Sequence, residues 1–393
     1  MSYDTVVVNK TNVSTKDKIE FLETEMDVAG IKTELSNVDE TSNTLNNGIG
    51  DTIELTTIAE VAKDKEKQSI NTMANIAVEN ICNRLGYKQS ESVSLESIGD
   101  LIKKAWEAIK AMFSRLWQGL KAIWNKISIS NNKASEKSEA AEAKIEEIKK
   151  ENPEGFKVAI TEVKAQKVDL TSYCRTFNTT NANHLNENIV KVLNNHLKFL
   201  NYLDKYKDVS NEVSTKMIPE EFNDWDSLIR LIKNANENSA AGYEPTFIGI
   251  RQAPCIFIEQ RYLTVNEAKK LYLASVSGFA VMTPRGHYPN ENQFKSIKDL
   301  IDKVTDKLNK HTEASQSLEN KISINMIKLN KQIQSTSTNE ETIRFKLKVL
   351  ENIRNSLVIY NGHMLGLTAT AIAKAAQYLK QASSFIETEA GRV

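Results

Sequence analysis

The sequence predicts a mainly α-helical protein, an elongated bundle of helical hairpins with a small β element in the middle, at about residues 245–283. Three observations predict this fold class. Only 14 glycines and 6 prolines occur in 393 residues, so few positions interrupt a helix. Apolar residues recur every three or four positions over long stretches, as on one face of a helix. The length exceeds what one hydrophobic core normally supports, which favours several domains or one elongated body.

Residues 1–96 form an acidic leader. They contain 17 acidic and 9 basic residues, a net charge of −8, whereas the whole chain is neutral. Weak helical patterns near residues 15–36 and 53–85 flank a polar, turn-rich stretch from Asp39 to Asp51. We predict a partly helical pro-segment, made of helical pieces on flexible connectors, without a compact fold of its own.

Residues 97–127 predict a basic, Trp-rich amphipathic helix. Their apolar positions fall within an arc of about 160° when each residue turns the helix by about 100°. Six basic residues accompany two acidic ones, and the tryptophans lie along one edge beside lysines. Such an edge suits contact with DNA or a membrane surface, and burial against the protein's own core is the competing interpretation. The predicted contact residues are Lys103, Lys104, Trp106, Lys110, Arg115, Trp117, Lys121, Trp124 and Lys126.

Residues 128–240 predict a helical region that opens with a linker. Ser128 to Lys137 is polar and is predicted as the linker, and Ala140 to Lys150 is a charged helix that stops before the next proline. Alternating apolar residues at 156–163 predict a short strand. Helical periodicity then returns from Leu185 to Leu203.

Residues 241–290 predict a small mixed α/β element. Apolar runs at 247–250, at 255–258 and at 279–282 are typical of short strands that pair in one small sheet. Thr264 to Glu267 has the spacing of a capping box, which predicts the start of a helix.

Residues 291–393 predict a helical hairpin and a final Ala-rich helix. Apolar residues from Ile297 to Ile322 follow one long helix, and N-caps at 337–341 precede a second helix near 343–357. The closing stretch from Leu365 to Phe385 is rich in Ala, Ser and Thr, so its helix is expected to approach its neighbours closely or to pack beneath larger side chains.

The chain lacks the common fingerprints of enzymes: no phosphate loop, nucleophile elbow or zinc-protease motif occurs. The three cysteines are far apart, and His184 and His196 do not share a helical spacing suited to a metal. The loop Thr283 to Pro289 crowds Arg285, His287 and Tyr288 between two prolines, and we interpret it as a structural turn. We therefore predict no catalytic residue, no metal site and no cofactor.

Membrane insertion and secretion are not expected. The amino terminus lacks the basic and apolar regions of a secretory signal, which predicts synthesis in the host cytoplasm. No window of about 18 apolar residues is free of charge, although residues 97–127 are suited to lie on a membrane surface.

A short motif joins the acidic leader to the basic helix. Ser94-Leu95-Glu96 is a small-residue-x-Glu tripeptide, and the aromatic, lysine-bearing stretches Ser97 to Trp106 and Phe113 to Trp117 follow it. With the terminal Ala- and Lys-bearing helix Ala369 to Ala376, these residues resemble the internal head proteins of giant tailed bacteriophages. The resemblance implies a non-enzymatic virion protein that enters the prohead core with other core proteins and stays inside the head.

The resemblance also implies proteolytic processing. The phage prohead protease would cut after Glu96, with Ser94, Leu95 and Ser97 as the other substrate positions. The retained part, residues 97–393, carries a net charge of +8, which predicts weak, non-specific and salt-sensitive contact with packaged DNA. The tripeptide recurs at residues 77–79, 140–142, 210–212, 235–237 and 317–319, but only at Glu96 does it coincide with the change of charge.

Two other functions stay open on the sequence. In the first, helix 97–127 makes the protein membrane-surface-active or ejected into the host. In the second, the protein is a purely structural helical homo-oligomer, built through the long hairpin at 293–360.

Overall fold

The computed structural model describes residues 15–62, 98–165, 168–216, 255–258, 261–264, 280–334 and 360–392. The protein is mainly α, as the sequence predicts. Five long helices dominate the described residues: α1 (Thr15–Ala62), α2 (Ile98–Glu151), α5 (Leu185–Lys216), α6 (Glu291–Gln334) and α7 (Tyr360–Ala390). At about 1.5 Å of rise per residue, the 54 residues of α2 span about 80 Å, so the bundle is elongated.

Short elements connect the long helices. They are α3 (Pro153–Ala165), β1 (Val168–Asp169), α4 (Thr171–Thr176), a 3-10 turn (Ala182–His184), β2 (Cys255–Ile258), β3 (Arg261–Thr264) and β4 (Arg285–Gly286). β1 pairs antiparallel with β4, and β2 pairs antiparallel with β3. Each of these sheets has two strands in the part of the chain that the structure describes, where helices build the core.

The predicted strand at Cys255–Ile258 is confirmed as β2, whereas the predicted strand at 279–282 is wrong over its described residues 280–282, which form a loop. This loop bonds instead to the segment just before the 3-10 turn, where Met282 N donates to Thr180 O at 3.0 Å. The predicted strand at 247–250 and most of the helix predicted after Thr264 lie outside the described residues.

Helix α7 is the centre of the bundle. Every side chain from Gly362 to Leu379 is buried, and α7 packs against α1, α2, α3, α5 and α6. Small side chains such as Ala371, Ala375 and Ala382 let its neighbours come close from all sides. The sequence prediction of a tightly packed Ala-rich helix at the carboxyl end is confirmed.

Helix α2 passes without a break through residues 128–137, so the predicted polar linker is wrong. Leu120, Ile127, Ala134, Ala141 and Ile148 are buried at intervals of seven residues, which is the repeat of a helix packed along a long seam. Ser130 and Asn131 lie in the same seam, where small or hydrogen-bonded polar groups fit: Asn131 Nδ2 donates to Asn309 Oδ1 at 2.9 Å. No glycine or proline occurs between positions 120 and 152, and α2 ends at Glu151 as predicted.

The predicted strand at 156–163 is also wrong, because these residues belong to α3. Pro153 occupies the first turn, where a missing N–H costs nothing, and Asn152 Oδ1 caps the helix by accepting from Gly155 N at 2.9 Å. Phe156 and Ala159 are buried at helical spacing, whereas Val158, the middle residue of the apparent alternation, is exposed.

Helix α1 is continuous over residues 15–62, so the turn predicted at Asp39 to Asp51 is wrong. Its buried positions alternate by four and three residues, which makes a regular heptad seam. They are Thr24, Val28, Ile31, Leu35, Val38, Ser42 and Leu45. The seam packs into the groove between α2 and α7, so this part of the acidic leader belongs to the core of the uncut protein.

Of the predicted carboxyl-terminal hairpin, the structure describes the first helix. α6 covers the predicted stretch from Ile297 to Ile322 and begins with a capping box, in which Gln293 N donates to Asn290 Oδ1 at 3.0 Å and Asn290 N donates to Gln293 Oε1 at 3.1 Å. The helix predicted near 343–357 lies outside the described residues. α6 packs against α5, α2 and α7.

Candidate functional site

The predicted site residues fall into three groups. Ser94, Leu95, Glu96 and Ser97 lie outside the described residues. Lys103, Lys104 and Trp106 lie in α2. The other six predicted contact residues also lie in α2, where the structure separates them into an outward and an inward set.

The outward set faces solvent. Lys110 lies 3.8 Å from Glu107, and both side chains are more than half exposed. Arg115 is exposed, and the ammonium of Lys121 lies over the ring of half-buried Trp117, 5.3 Å from its centroid. This lysine over an aromatic ring is a cation–π pair at the surface, where it contributes about 0.5–1 kcal/mol.

The inward set contacts α7 and α1. Trp124 is 0% exposed and packs against the backbone of Gly362 in α7, where a Cβ atom would lie 3.3 Å from the ring. Its side chain therefore belongs to the core in the uncut protein, as the competing interpretation of the aromatic edge proposes. Lys126 forms an ion pair with Glu34 of α1 at 2.8 Å.

Further basic residues of α2 contact α1, and the sequence analysis missed them because it placed them in a linker. Lys133 pairs with Asp27 at 2.8 Å. Lys137 Nζ donates to Thr24 Oγ1 at 2.7 Å and to Gln377 Oε1 at 3.1 Å, and burial lowers the pKa of this lysine. Three basic side chains of α2 thus lie along one edge of the groove that α1 fills.

Basic residues of α7 contact the same helix. Lys374 pairs with Glu25, and Lys380 pairs with Glu20. His363 Nε2 lies 2.7 Å from Asp39 Oδ1. We call the six basic residues of α2 and α7 that contact α1 the basic groove: Lys126, Lys133, Lys137, His363, Lys374 and Lys380.

Charge is sharply separated across this contact. Residues 15–62 contain eleven acidic and three basic residues, a net charge of −8, which equals the net charge of the whole leader. The rest of the chain therefore carries +8. The seven-residue repeat from Thr24 to Leu45 is the signal in the sequence that identifies α1 as a packed helix, and the carboxylates flank that repeat.

The predicted turn at 283–289 has a structural role. Arg285 and Gly286 pair with β1, Tyr288 and Pro289 are buried, and the carbonyl oxygen of His287 accepts from the hydroxyl of Tyr378 at 3.3 Å. Tyr378 Oη also donates to Asn186 Oδ1 at 2.7 Å, which ties the loop and α5 to the central helix.

Reactive groups in the described residues are shielded. Burial raises the pKa of the Cys174 thiol to about 11, so the thiolate is scarce at neutral pH. Among the described side chains, no group of three or more His, Cys, Asp or Glu residues is placed to hold a metal ion. None of the described helices combines the length and the apolar character needed to span a bilayer.

Comparison with known proteins gives the family. The model of the family described as phiKZ-like phage internal head proteins matches residues 66–388, well over half of the chain. The matched range begins just after α1 and includes the predicted cleavage site, α2 and the central helix α7. No curated protein and no solved structure matches the chain. The chain therefore belongs to the phiKZ-like phage internal head proteins, which are located inside the phage head.

Proposed function

We propose that this protein is a non-enzymatic internal head protein that enters the prohead core as a precursor with other core proteins. The phage prohead protease cuts it after Glu96, and residues 97–393 stay in the head with the packaged DNA. The single observation that supports this proposal best is the separation of charge: a helix of net charge −8 lies on a body of net charge +8.

The physical consequence of the cut follows from that separation. In the precursor, carboxylates of α1 neutralise the basic groove, so the chain as a whole does not attract DNA strongly. Loss of residues 1–96 leaves a positively charged body. Contact with DNA is then directed at the phosphate backbone, non-specific and weakened by salt.

Terminal mass spectrometry of the protein from purified particles tests processing. The expected first residue is Ser97, and a protein that still begins at Met1 contradicts the proposal. Glu96→Ala should give an uncut protein in particles. Glu79→Ala is the matched control, because Ala77-Val78-Glu79 has the same motif but does not lie where the acidic leader meets the basic helix. This variant should still be cut after Glu96.

A membrane-surface function is the second candidate, and the surface pair of half-buried Trp117 and exposed Lys121 favours it, since Trp and Lys are suited to a lipid interface. It predicts that protein cut after position 96 floats with anionic vesicles, that Trp117→Ala reduces flotation, and that the uncut chain stays in the soluble fraction. Equal flotation of cut and uncut protein would contradict a role released by cleavage.

Self-association is favoured by a different observation. Ile19, Leu22 and Met26 of α1 lie on one helical face and are 53%, 59% and 73% exposed. A second copy of this chain can cover these side chains during assembly of the core. Sedimentation equilibrium of the uncut protein should show an oligomer that Leu22→Glu with Met26→Glu dissociates, and a monomer at all concentrations would exclude this association.

A further inference from the structure

We propose that α1 is a removable cover on a DNA-binding surface, and that the basic groove between α2 and α7 binds DNA phosphates after α1 has left. This inference rests on the proposed function for the event that frees α1. It goes beyond that function because it assigns the DNA contact to particular residues that lie away from the exposed aromatic edge of α2.

The first argument is the chemistry of the contacts. Lys126 and Lys133 each hold a carboxylate oxygen of α1 at 2.8 Å, and Lys380 pairs with a third carboxylate, from Glu20. Carboxylate and phosphate oxygens make the same charge-assisted hydrogen bonds with an ammonium group. Four of the five lysines of the groove, all except Lys137, therefore already hold an anionic oxygen that α1 supplies in the precursor. Lys137 donates to the neutral oxygens of Thr24 and Gln377.

The second argument is the placement of the lysines. Lys126, Lys133 and Lys137 are separated by seven and four residues, so they lie on one face of α2 over about 17 Å. Lys374 and Lys380 lie on α7 and contact the same covering helix. Two helices that pack on each other and on α1 present these lysines along both sides of one groove.

The shape of the groove favours DNA over a bilayer. Its apolar floor is recessed between α2 and α7, because α1 packs against both of them at once. A flat lipid surface does not reach a floor between two helices, whereas long lysine side chains extend from the edges to a phosphate backbone. The genome inside the head supplies that backbone at high concentration.

The third argument explains why a cut is needed. Residues 63–97 join α1 to α2 covalently, so the contact between the two helices is intramolecular and dilution does not weaken it. The apolar contacts of Val28, Ile31, Leu35 and Val38 keep α1 in place under those conditions. Cleavage in the tether makes the contact bimolecular, so dilution and competing phosphates can displace α1.

A disulfide that holds α1 in place gives a direct test. A Cβ atom at Gly119 would lie 2.9 Å from Val38 Cγ2. The Cβ atoms of residues 38 and 119 are therefore within about 4.4 Å, inside the range of a disulfide. Val38→Cys with Gly119→Cys removes the crowding methyl group and links α1 to α2. Cys82→Ser and Cys255→Ser remove two competing thiols.

The experiment uses the full chain with residues 94–97 replaced by the site of a sequence-specific protease, so it does not depend on the phage enzyme. Affinity for a labelled DNA duplex is measured before and after cutting, with the disulfide oxidised or reduced. We expect at least tenfold tighter binding only in the cut, reduced protein. If four lysines contact phosphates, the affinity for DNA should fall about 100-fold between 50 and 200 mM salt.

Matched lysine variants distinguish the contribution of the basic groove to DNA affinity from the contribution of net charge. Lys126→Gln with Lys133→Gln should remove most of the gain in affinity. Lys157→Gln with Lys310→Gln should keep it, because these exposed lysines do not belong to the basic groove and pair with Glu154 and Asp306 of their own helices. Both double variants remove the same formal charge. A difference in their DNA affinity therefore shows that the location of the lysines in the groove matters.

Three results would overturn the cover proposal: equal DNA affinity of the cut protein with the disulfide closed and open, equal effects of the two lysine pairs, or tighter binding to anionic vesicles with none to DNA. These outcomes are independent of processing in the phage. An intact Met1 in particles contradicts cleavage after Glu96 without changing the result with the engineered site, and failure of DNA binding here leaves cleavage in the phage unaffected.

Discussion

Lys374 of the central helix α7 and Glu25 of the amino-terminal helix α1 form an ion pair between the two helices. The Lys374 side chain is 4% exposed and its ammonium lies 5.0 Å from the centroid of the Phe21 ring. Burial lowers the pKa of Lys374 to about 8. The acidic amino-terminal helix therefore supplies the counter-charge for a buried lysine of the central helix.

The two partners of this pair should respond differently to substitution. Glu25→Gln leaves a buried ammonium without its carboxylate and should lower the free energy of unfolding by about 2 kcal/mol. Lys374→Met keeps the contact with Phe21 and leaves Glu25, which is 40% exposed, in contact with water, so its effect should stay within about 1 kcal/mol. Urea denaturation of the uncut chain measures both, and equal losses would contradict this asymmetry.

Gly366 of α7 should be essential for the docking of α1. A Cβ atom there would lie 2.8 Å from Leu35 Cδ1 and 3.1 Å from Ile31 Cγ2, so Gly366→Leu forces α1 away from α7. Such overpacking should cost about 1–3 kcal/mol. Hydrogen exchange should then become faster in residues 15–62. Gly391→Ala is the control, because its Cβ meets only atoms at ordinary contact distances. Unchanged exchange in Gly366→Leu would contradict the packing described here.

The protein should lose stability in mild acid through His196. This side chain is fully buried, its Nδ1 lies 2.8 Å from Thr368 Oγ1, and burial lowers its pKa from 6.5 to about 3. Below pH 6.5 the unfolded chain binds a proton that the folded chain does not bind. The free energy of unfolding should therefore fall as the pH falls through this range, by about 2 kcal/mol between pH 6.5 and pH 5.

Paired histidine variants identify the source of that pH dependence. His196→Gln has no titrating ring and should flatten the decrease of stability between pH 6.5 and pH 5. His184→Gln changes an exposed side chain and should leave the decrease as in the parent protein. Thermal unfolding at several pH values measures both, and an unchanged slope in His196→Gln would contradict this assignment.

Residues 128–137 should behave as helix and not as a linker. Asn132 is exposed, so Asn132→Pro tests the backbone with little effect on packing. In a helix interior this change should cost about 3 kcal/mol or more, and in a linker almost nothing. Asn132→Ala should be neutral or slightly stabilising, because alanine has the higher helix propensity. Equal stability of the two variants would indicate that these residues form a linker and not a helix.

The sequence determined the mainly α fold and the end of α2 before Pro153. It also determined the central parts of three helices, from Leu185 to Leu203, from Ile297 to Ile322 and from Leu365 to Phe385, each of which is longer in the structure. It also determined the charge of each segment. These properties depend on local features of the sequence. Periodicity, helix breakers and composition act within one or two turns, so they can be recognised in the sequence alone.

Only the tertiary structure decided which surfaces meet. Lys126 and Glu34 are 92 residues apart in the chain, and His363 and Asp39 are 324 apart. The stretches at 39–51 and 128–137 are polar enough to suggest a turn and a linker, yet Ser42, Ser130 and Ala134 are small enough to fit a seam between helices. Packing against a partner helix outweighs weak local propensity, and it also placed Trp124 inside and the acidic leader on the basic groove.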